Sequence, residues 1–559
     1  MKKMISMLLA ATLSLGVVAM ASGCQTKDNV VDDDKTINVR LYKAGFGDAF
    51  IYDLKKQFES VYATEGYKMN VLTPTYGSAG TAMVQEMSRG YDETKIDLYI
   101  TGAITPNQVS EIGEYGEVCE DLEQIVFNQT AIGYDGKESA DKISKRIMSD
   151  FVPFLRADNG TMYGFNWAQT TAGMVVNTTK LAAYGVTELP RTTDELFEVF
   201  DMIYNGANGV AGSSTTKTYP VTYNLTSGAG GATTYQNCAI ESWIAQYDIE
   251  TYNEFLRMQT NNNGTWTDMT DGWKVFQNEN IKKVMEVGYQ FMDAKYSAYG
   301  SSTQTLDQAQ GLIMQEANGQ NNAIFMLNGD WFLNEVKANH GSKLANIEFM
   351  NVPVISDLGV KLFGAGTKYN LSDDACDDLL SYICKLVDEN KSVDEIVSLV
   401  KSEKSIDLDK ADAQAVATAR GTCFSRGIEH LAFITKGCTK KDIAAKALRM
   451  MASDDFAETF MEKANASSPY THNIKTTSQY KFVNSAKALA ANVHFRAINS
   501  RIQGLRFKVL KSDYIFPGES NFALTLYNKA SSTSYADAAT NLYNSSIAKA
   551  QEAWNSYNK

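Results

Sequence analysis

A chain of 559 residues exceeds one ordinary domain, and 44% hydrophobic with 21% charged residues describes a globular protein that is neither disordered nor membrane-embedded along its length. The formal net charge is −13 and no long patch of Lys or Arg occurs, which argues against nucleic acid as a partner. The same acidic balance disfavours anionic ligands and leaves a neutral one favoured.

In chain order, Lys2-Lys3 gives a basic start, residues 4–20 are almost wholly apolar, and Ala21-Ser22-Gly23 precedes Cys24. The apolar run is too short for a stable membrane helix and reads as an export signal. Small residues running directly into cysteine resemble the bacterial lipobox. That resemblance implies a lipoprotein signal peptide over 1–23 and Cys24 as the diacylated first residue of the mature chain. A plain secretory signal with an incidental cysteine is the alternative. Two acyl chains suffice to hold a soluble protein on a membrane, whereas one is marginal. Residues 24–35, polar and acidic, suit a tether. Cys119, Cys238, Cys376, Cys384, Cys423 and Cys438 show neither Cys-x-x-Cys nor zinc-site spacing. Cys376 and Cys384 fall on one predicted helix, about 12 Å apart by helical rise, too far to bond to each other. Bridges elsewhere in 376–438 stay open, with buried thiols the simpler reading.

Ile37, Val39 and Leu41 alternate with polar residues, so a strand is expected over Thr36–Tyr42. It runs into Gly45-Phe46-Gly47-Asp48 and a helix with Phe50, Ile51, Leu54, Phe58 and Val61 on one face. A second strand at 69–72 passes through Tyr76-Gly77-Ser78 into a helix at 81–89. A third, 96–100, is apolar except for Asp97, and ends at Thr101-Gly102 before a helical stretch at 107–112. Repeated strand–loop–helix units predict a parallel sheet, with ligands collecting beyond the carboxyl ends of its strands. Phe46, Asp48, Tyr76 and Thr101 therefore form one candidate ligand-binding rim. Asp48 is equally suited to capping the following helix, and Phe46 to packing.

The stretch 159–180 holds two strand-like halves: Tyr163, Phe165 and Trp167, then Met174-Val175-Val176, joined by Gln169-Thr170-Thr171. This suits a chain leaving one lobe for another, or an ordinary hairpin. Gly185, Pro190 and the capping box Thr192-x-x-Glu195 follow, with Leu196, Val199, Phe200 and Ile203 as the stripe of a helix. This order of signals resembles the family 1 extracellular solute-binding proteins, the maltose-binding-protein-like receptors of ABC importers. Their pattern is roughly D-G-x-x-Y-G-x-P, G-x-x-Y-N, then G, P and T-x-x-E-L. Asn166 stands here where that family usually has Pro, and Val176-Asn177 replaces Tyr-Asn. The resemblance implies an α/β, two-lobed periplasmic-binding-protein type II fold. Each lobe would be a mostly parallel sheet flanked by helices, with several hinge crossings between them. It also implies Asn166 and Trp167 at the hinge floor.

A strand near 219–223 leads into the glycine-rich 227–232, which lacks the spacing of either nucleotide-binding loop. The next helix carries Trp243, either a core residue or a ligand contact. Later a helix at 306–318, a buried strand at 323–327 and Asn328-Gly329-Asp330-Trp331 precede a helix from Phe332. That order resembles the family's G-x-x-A-M-x-x-x-G-x-W signature. A Trp and a carboxylate emerging together at a strand's carboxyl end suit a sugar, whose ring offers an apolar C–H face and a hydroxyl rim. Asp330 and Trp331 are thus candidates for the second half of a clamp, against Asp48 and Phe46 on the first. Trp331 could instead anchor its lobe from inside.

Residues 347–354 read as a strand returning to lobe one, and 372–420 as a solvated helical insertion there. Residues 440–464 form an amphipathic helix pair broken at Ser453-Asp454-Asp455, ahead of a third crossing at Ser467-Ser468-Pro469-Tyr470. The expected division is lobe one at 36–165 and 346–468, lobe two at 166–345, and C-terminal helices at 469–559 on lobe two. The function implied is a monomeric, lipid-anchored receptor on the outer face of the cell membrane. It would close around a sugar or oligosaccharide and deliver it to the permease subunits of an ABC importer, with no cofactor, metal, nucleic acid or catalytic residue. A receptor for peptides or polyamines, or a secreted carbohydrate-active enzyme, are the alternatives. His340, His430, His472 and His494 are scattered, against a metal receptor.

Overall fold

The computed structural model describes residues 29–558, except 76–78, 103, 113–116, 150, 158, 207–216, 226–231, 263–264, 299, 316–320, 426–429, 471, 473–476, 499–503, 511–515 and 518–521. Cys24, Tyr76 and the glycine-rich loop therefore lie outside the described residues. In chain order the strands are β1 (Thr36–Tyr42), β2 (Lys68–Thr75), β3 (Leu98–Ile100), β4 (Thr130–Ile132), β5 (Glu138–Lys142), β6 (Phe165–Asn166), β7 (Ala172–Asn177) and β8 (Thr218–Val221). They continue as β9 (Gln259–Asn262), β10 (Thr265–Asp268), β11 (Asn322–Gly329), β12 (Ile347–Met350), β13 (Thr422–Ser425), β14 (Leu431–Ile434) and β15 (Phe495–Ile498).

The alternation in β1 buries Ile37, Val39 and Leu41, yet Asn38 and Arg40 on its other face are buried too. Helices cover both faces of a parallel sheet, so polar residues there need partners. Arg40 pairs with Glu86 at 2.7 Å. Asp97, the lone carboxylate before β3, accepts from the Asn38 N–H at 2.7 Å and meets Lys440 at 3.1 Å, both side chains buried. The ion pair fixes the start of β3 against the loop ahead of the helix Lys441–Met451.

The first sheet runs β2-β1-β3-β14-β6. β1 is parallel to β2 and β3, and β14 is antiparallel to β3 and β6. The second runs β15-β13-β7-β11-β8, with β12 also on β7. There β7 is antiparallel to β11, β12 and β13, while β11–β8 and β13–β15 are parallel. Each sheet is mixed: strands reached through a crossing run against those built from local strand–helix units. β6 and β7 lie in different sheets, so 167–171 is a crossing rather than a hairpin turn.

The return to the first sheet falls later than the sequence pattern suggested. β12, expected to go back to lobe one, pairs with β7, Val175 opposite Phe349. The chain re-enters the first sheet only between β13 and β14. Helices Asp373–Asp388 and Lys410–Arg420 accordingly belong to the second body. Thr192 donates to Asp377 at 3.0 Å, and Arg420 grips Asp388 at 2.8 Å beside Arg191. An apolar strand carries no mark of which sheet edge it will join, so periodicity could not settle this. Helices Lys481–Ala491 and Tyr535–Tyr557 pack on β12 and on the helix Glu279–Phe291 respectively.

The passages between sheets are tied to one another. The Gln169 N–H donates to the Ser467 carbonyl at 2.9 Å, the Ser425 hydroxyl to the Thr170 carbonyl at 2.8 Å, and the Trp167 N–H to the His430 carbonyl at 3.0 Å. Chain segments far apart in sequence thus form one hydrogen-bonded strap joining the two bodies.

Candidate functional site

The carboxyl ends of β1 and β3 meet the strap first. Phe46 lies in a 3-10 turn after β1, buried edge-on against Trp167 (5.3 Å) and His430 (5.3 Å). Trp167 stacks between Phe50 and His430, and its indole N–H donates to the Thr101 carbonyl at 2.9 Å. The Thr101 hydroxyl in turn donates to the Leu431 carbonyl at 2.7 Å. Asn166 is paired with Leu431 across β6 and β14. Phe46, Thr101, Asn166 and Trp167 therefore come together, all buried, in a knot under the strap. Aromatic stacking and a buried indole N–H with its acceptor make that knot rigid.

Asp48 is half-buried at the start of the helix Ala49–Val61, but its side chain caps nothing and pairs instead with Lys43 at 2.5 Å. Trp243 stands apart from the others. It sits in the core of the second body on the helix Ala232–Tyr247, donating to the Pro353 carbonyl at 3.0 Å with its ring edge-on to Phe291.

From the second sheet, β11 delivers Asn328, Gly329, Asp330 and Trp331 to the same strap. The Asp330 N–H donates to the Thr171 carbonyl at 3.0 Å, and its Oδ2 accepts from the Thr171 N–H at 3.1 Å. Its Oδ1 is buried without a hydrogen-bond partner. Burial pushes the Asp330 carboxyl up to about 8, opposed by the Thr171 N–H and the Arg496 guanidinium. Arg496 reaches in from β15 over the Phe151 ring, 5.0 Å from its centroid. Trp331 is half-buried, its indole lying over Gly329 and against Gly45. A Cβ on Gly329 would stand 2.2 Å from the ring and one on Gly45 3.1 Å away, so both glycines make room for it.

Sequence reasoning missed most of what surrounds these residues. Gln169 Nε2, the Thr170 and Thr171 hydroxyls, Asn328 Nδ2, Asp330 Oδ1, the Ser468 and Tyr470 hydroxyls and His472 Nε2 are all buried without partners. They sit on or beside the passages between the sheets. A buried polar atom without a partner costs about 1–3 kcal/mol, so those along the passages are groups that a bound molecule would satisfy. The Gln169-Thr170-Thr171 run marked the crossing, but nothing in the sequence told paired from unpaired side chains. Among the described residues no group of His, Cys, Asp and Glu is placed to hold a metal ion, and no helix is long and apolar enough to cross a membrane. The six described cysteines are buried and form no disulfide.

No family model and no curated protein matches this sequence. Solved structures do. A probable secreted solute-binding lipoprotein from Streptomyces coelicolor superposes with a TM-score of 0.54 at 13% identity, covering 94% of this chain and 99% of that one. A chitin oligosaccharide binding protein gives 0.53 at 10% identity, covering 92% and 100%. RafE from Streptococcus pneumoniae in its apo form gives 0.52 at 12%, covering 95% and 100%. At such identities the likeness is one of architecture, and it runs the length of both chains: this protein has the two-lobed α/β fold of the solute-binding proteins.

Proposed function

We propose that this chain is an extracytoplasmic receptor that captures a sugar or oligosaccharide between its two bodies and hands it to an ABC importer, with Cys24 as its lipid anchor. The observation that carries this reading is the set of unpartnered polar atoms along the strap, with the half-buried Trp331 indole beside Asp330 where the second body meets Gly45 of the first. Hydroxyl, amide and carboxyl groups that find no partner in the chain are what a polyhydroxylated ligand satisfies, while an indole covers the apolar face of its ring. Of the neighbours in fold, one is named for binding chitin oligosaccharide, and RafE has been obtained in complex with raffinose. Those neighbours are binding proteins, which favours capture over catalysis.

Within this reading Asp330, Trp331, Thr170, Thr171, Gln169 and Asn328 contact ligand. Asp48, paired with Lys43 at the start of Ala49–Val61, is the contact offered by the first body, and Phe46, Thr101, Asn166 and Trp167 stiffen the strap beneath. Trp243 is core. Ligand drives closure because it touches both bodies at once; a ligand gripping one body equally in both states shifts nothing.

The test is a thermal-shift screen across mono- and oligosaccharides. A cognate sugar raises Tm saturably without being cleaved. Trp331→Ala abolishes that rise while changing the apo Tm only modestly. Release of product from labelled oligosaccharide would instead identify an enzyme, and collapse of the apo fold in Trp331→Ala would assign the indole to the core.

A further inference from the structure

The two bodies also hold each other directly beside the strap, through side chains that do not belong to it, and the groups involved are not those that face a ligand in the reading above, apart from Trp331. The helix Phe332–His340 follows β11 of the second sheet. The helix Asp454–Ala464 packs on Ala49–Val61 of the first, with Phe456 and Phe460 against Phe50. Between these two helices Asn334 Nδ2 donates to the Ala464 carbonyl, the last of its helix, and Asn465 Nδ2 donates to Asn334 Oδ1 at 2.5 Å. Asn465 holds the left-handed conformation, φ 45°, that ends the helix and turns its side chain toward Asn334. One turn earlier, Met461 is buried in the apolar cluster of the second body with Phe332, Leu333 and Phe482. At the head of the helix Trp331 rests on Gly45 of the first body.

We infer that this contact is a latch: Asn334–Asn465, Met461 and the Trp331–Gly45 contact draw the bodies together independently of any ligand and set how far the closed form is populated before one binds. The inference rests on the reading of two bodies that close on each other, but not on what they close around. Two opposed effects act on the same movement. Closing pairs Asn334 with Asn465 and buries Met461, which favours the closed form. It also buries the unpartnered atoms along the strap, which favours the open one. The latch offsets part of that cost, leaving the rest to the ligand. Since apparent affinity scales with the fraction already in the binding-competent form, weakening the latch weakens every ligand by the same factor.

The experiment places spin labels at Lys56→Cys and Glu552→Cys, exposed positions on the first and second bodies, and measures their separation by pulsed electron resonance with no sugar present. The six buried cysteines take no label. In the Asn334→Ala/Asn465→Gly background, where glycine keeps the positive φ, the distribution moves to longer distances. Gly45→Val, which pushes on the indole from the other side, moves it the same way. Loss of one such contact lowers the affinity for a cognate sugar by roughly three- to tenfold. Distance distributions unchanged in both backgrounds overturn the latch whatever the ligand proves to be. A longer distance with no sugar response from any variant leaves the latch standing and removes the sugar reading.

Discussion

Asp330 sits in an environment that its neighbours in sequence do not suggest. Read along the chain, it is a polar residue at a strand end. In the fold it is buried, with one oxygen on the Thr171 N–H and the other without a partner. Its carboxyl is held up to about 8 against an ordinary 3.8. Between those values the folded chain keeps a proton that the unfolded chain has released, so the contribution of Asp330 to stability falls as pH rises from about 4 to about 8 and is flat above. The Arg496 guanidinium opposes it and limits the effect without reversing its sign. Glu241 and Glu335, raised to about 8 and about 7 by burial, act in the same direction. Asp330→Asn therefore leaves a pH dependence but a shallower one. The expected result, read from Tm between pH 4 and pH 8, is a variant that gains on the wild type as pH rises. A constant offset would show that Asp330 does not titrate in that window.

At the scale of single elements the local signals held well. Thr192-x-x-Glu195 forms both halves of its capping box at the start of Thr193–Tyr204. Ser453 caps Asp454–Ala464 where the helix pair was expected to break. The Thr192 hydroxyl does more than the box requires, since it also donates to Asp377 on the helix Asp373–Asp388. Thr192→Ala thus removes a cap and a tie to a second helix. A cost of about 1–2 kcal/mol, measured by urea unfolding, is expected, with m unchanged. Thr192→Ser keeps both bonds and should cost a small fraction of that. Elements without such punctuation were not legible. β13, β14 and β15 are each four residues long, too short to show a hydrophobic period, yet they decide where the chain re-enters the first sheet and which edge closes the second.

For the whole molecule, the movement that matters is of two bodies about a strap of hydrogen-bonded passages. On the proposed function, a ligand that bridges the strap and Trp331 contracts the particle. Small-angle scattering should show a smaller radius of gyration on addition of the sugar that raises Tm, and no change with sugars that do not. Contraction absent at saturating sugar would mean that the two bodies are locked and that binding does not use their motion.

What the sequence determined by itself was the set of local units: strand–turn–helix repeats from Thr36, the break at Gln169-Thr170-Thr171 between two strands, and a Trp beside a carboxylate at the end of β11. These are short-range facts, written in hydrophobic period, capping residues and glycines. The tertiary structure decided the rest. It put Ile347–Met350 on β7, and drew Phe46, Thr101, Asn166 and Trp167 into one buried knot. It placed Trp243 in the core and left a row of polar atoms unpaired along the strap. Each of these depends on which distant segment lies alongside. Strand edges, buried partners and missing partners are properties of pairs of segments, and a sequence read one stretch at a time contains only one member of each pair.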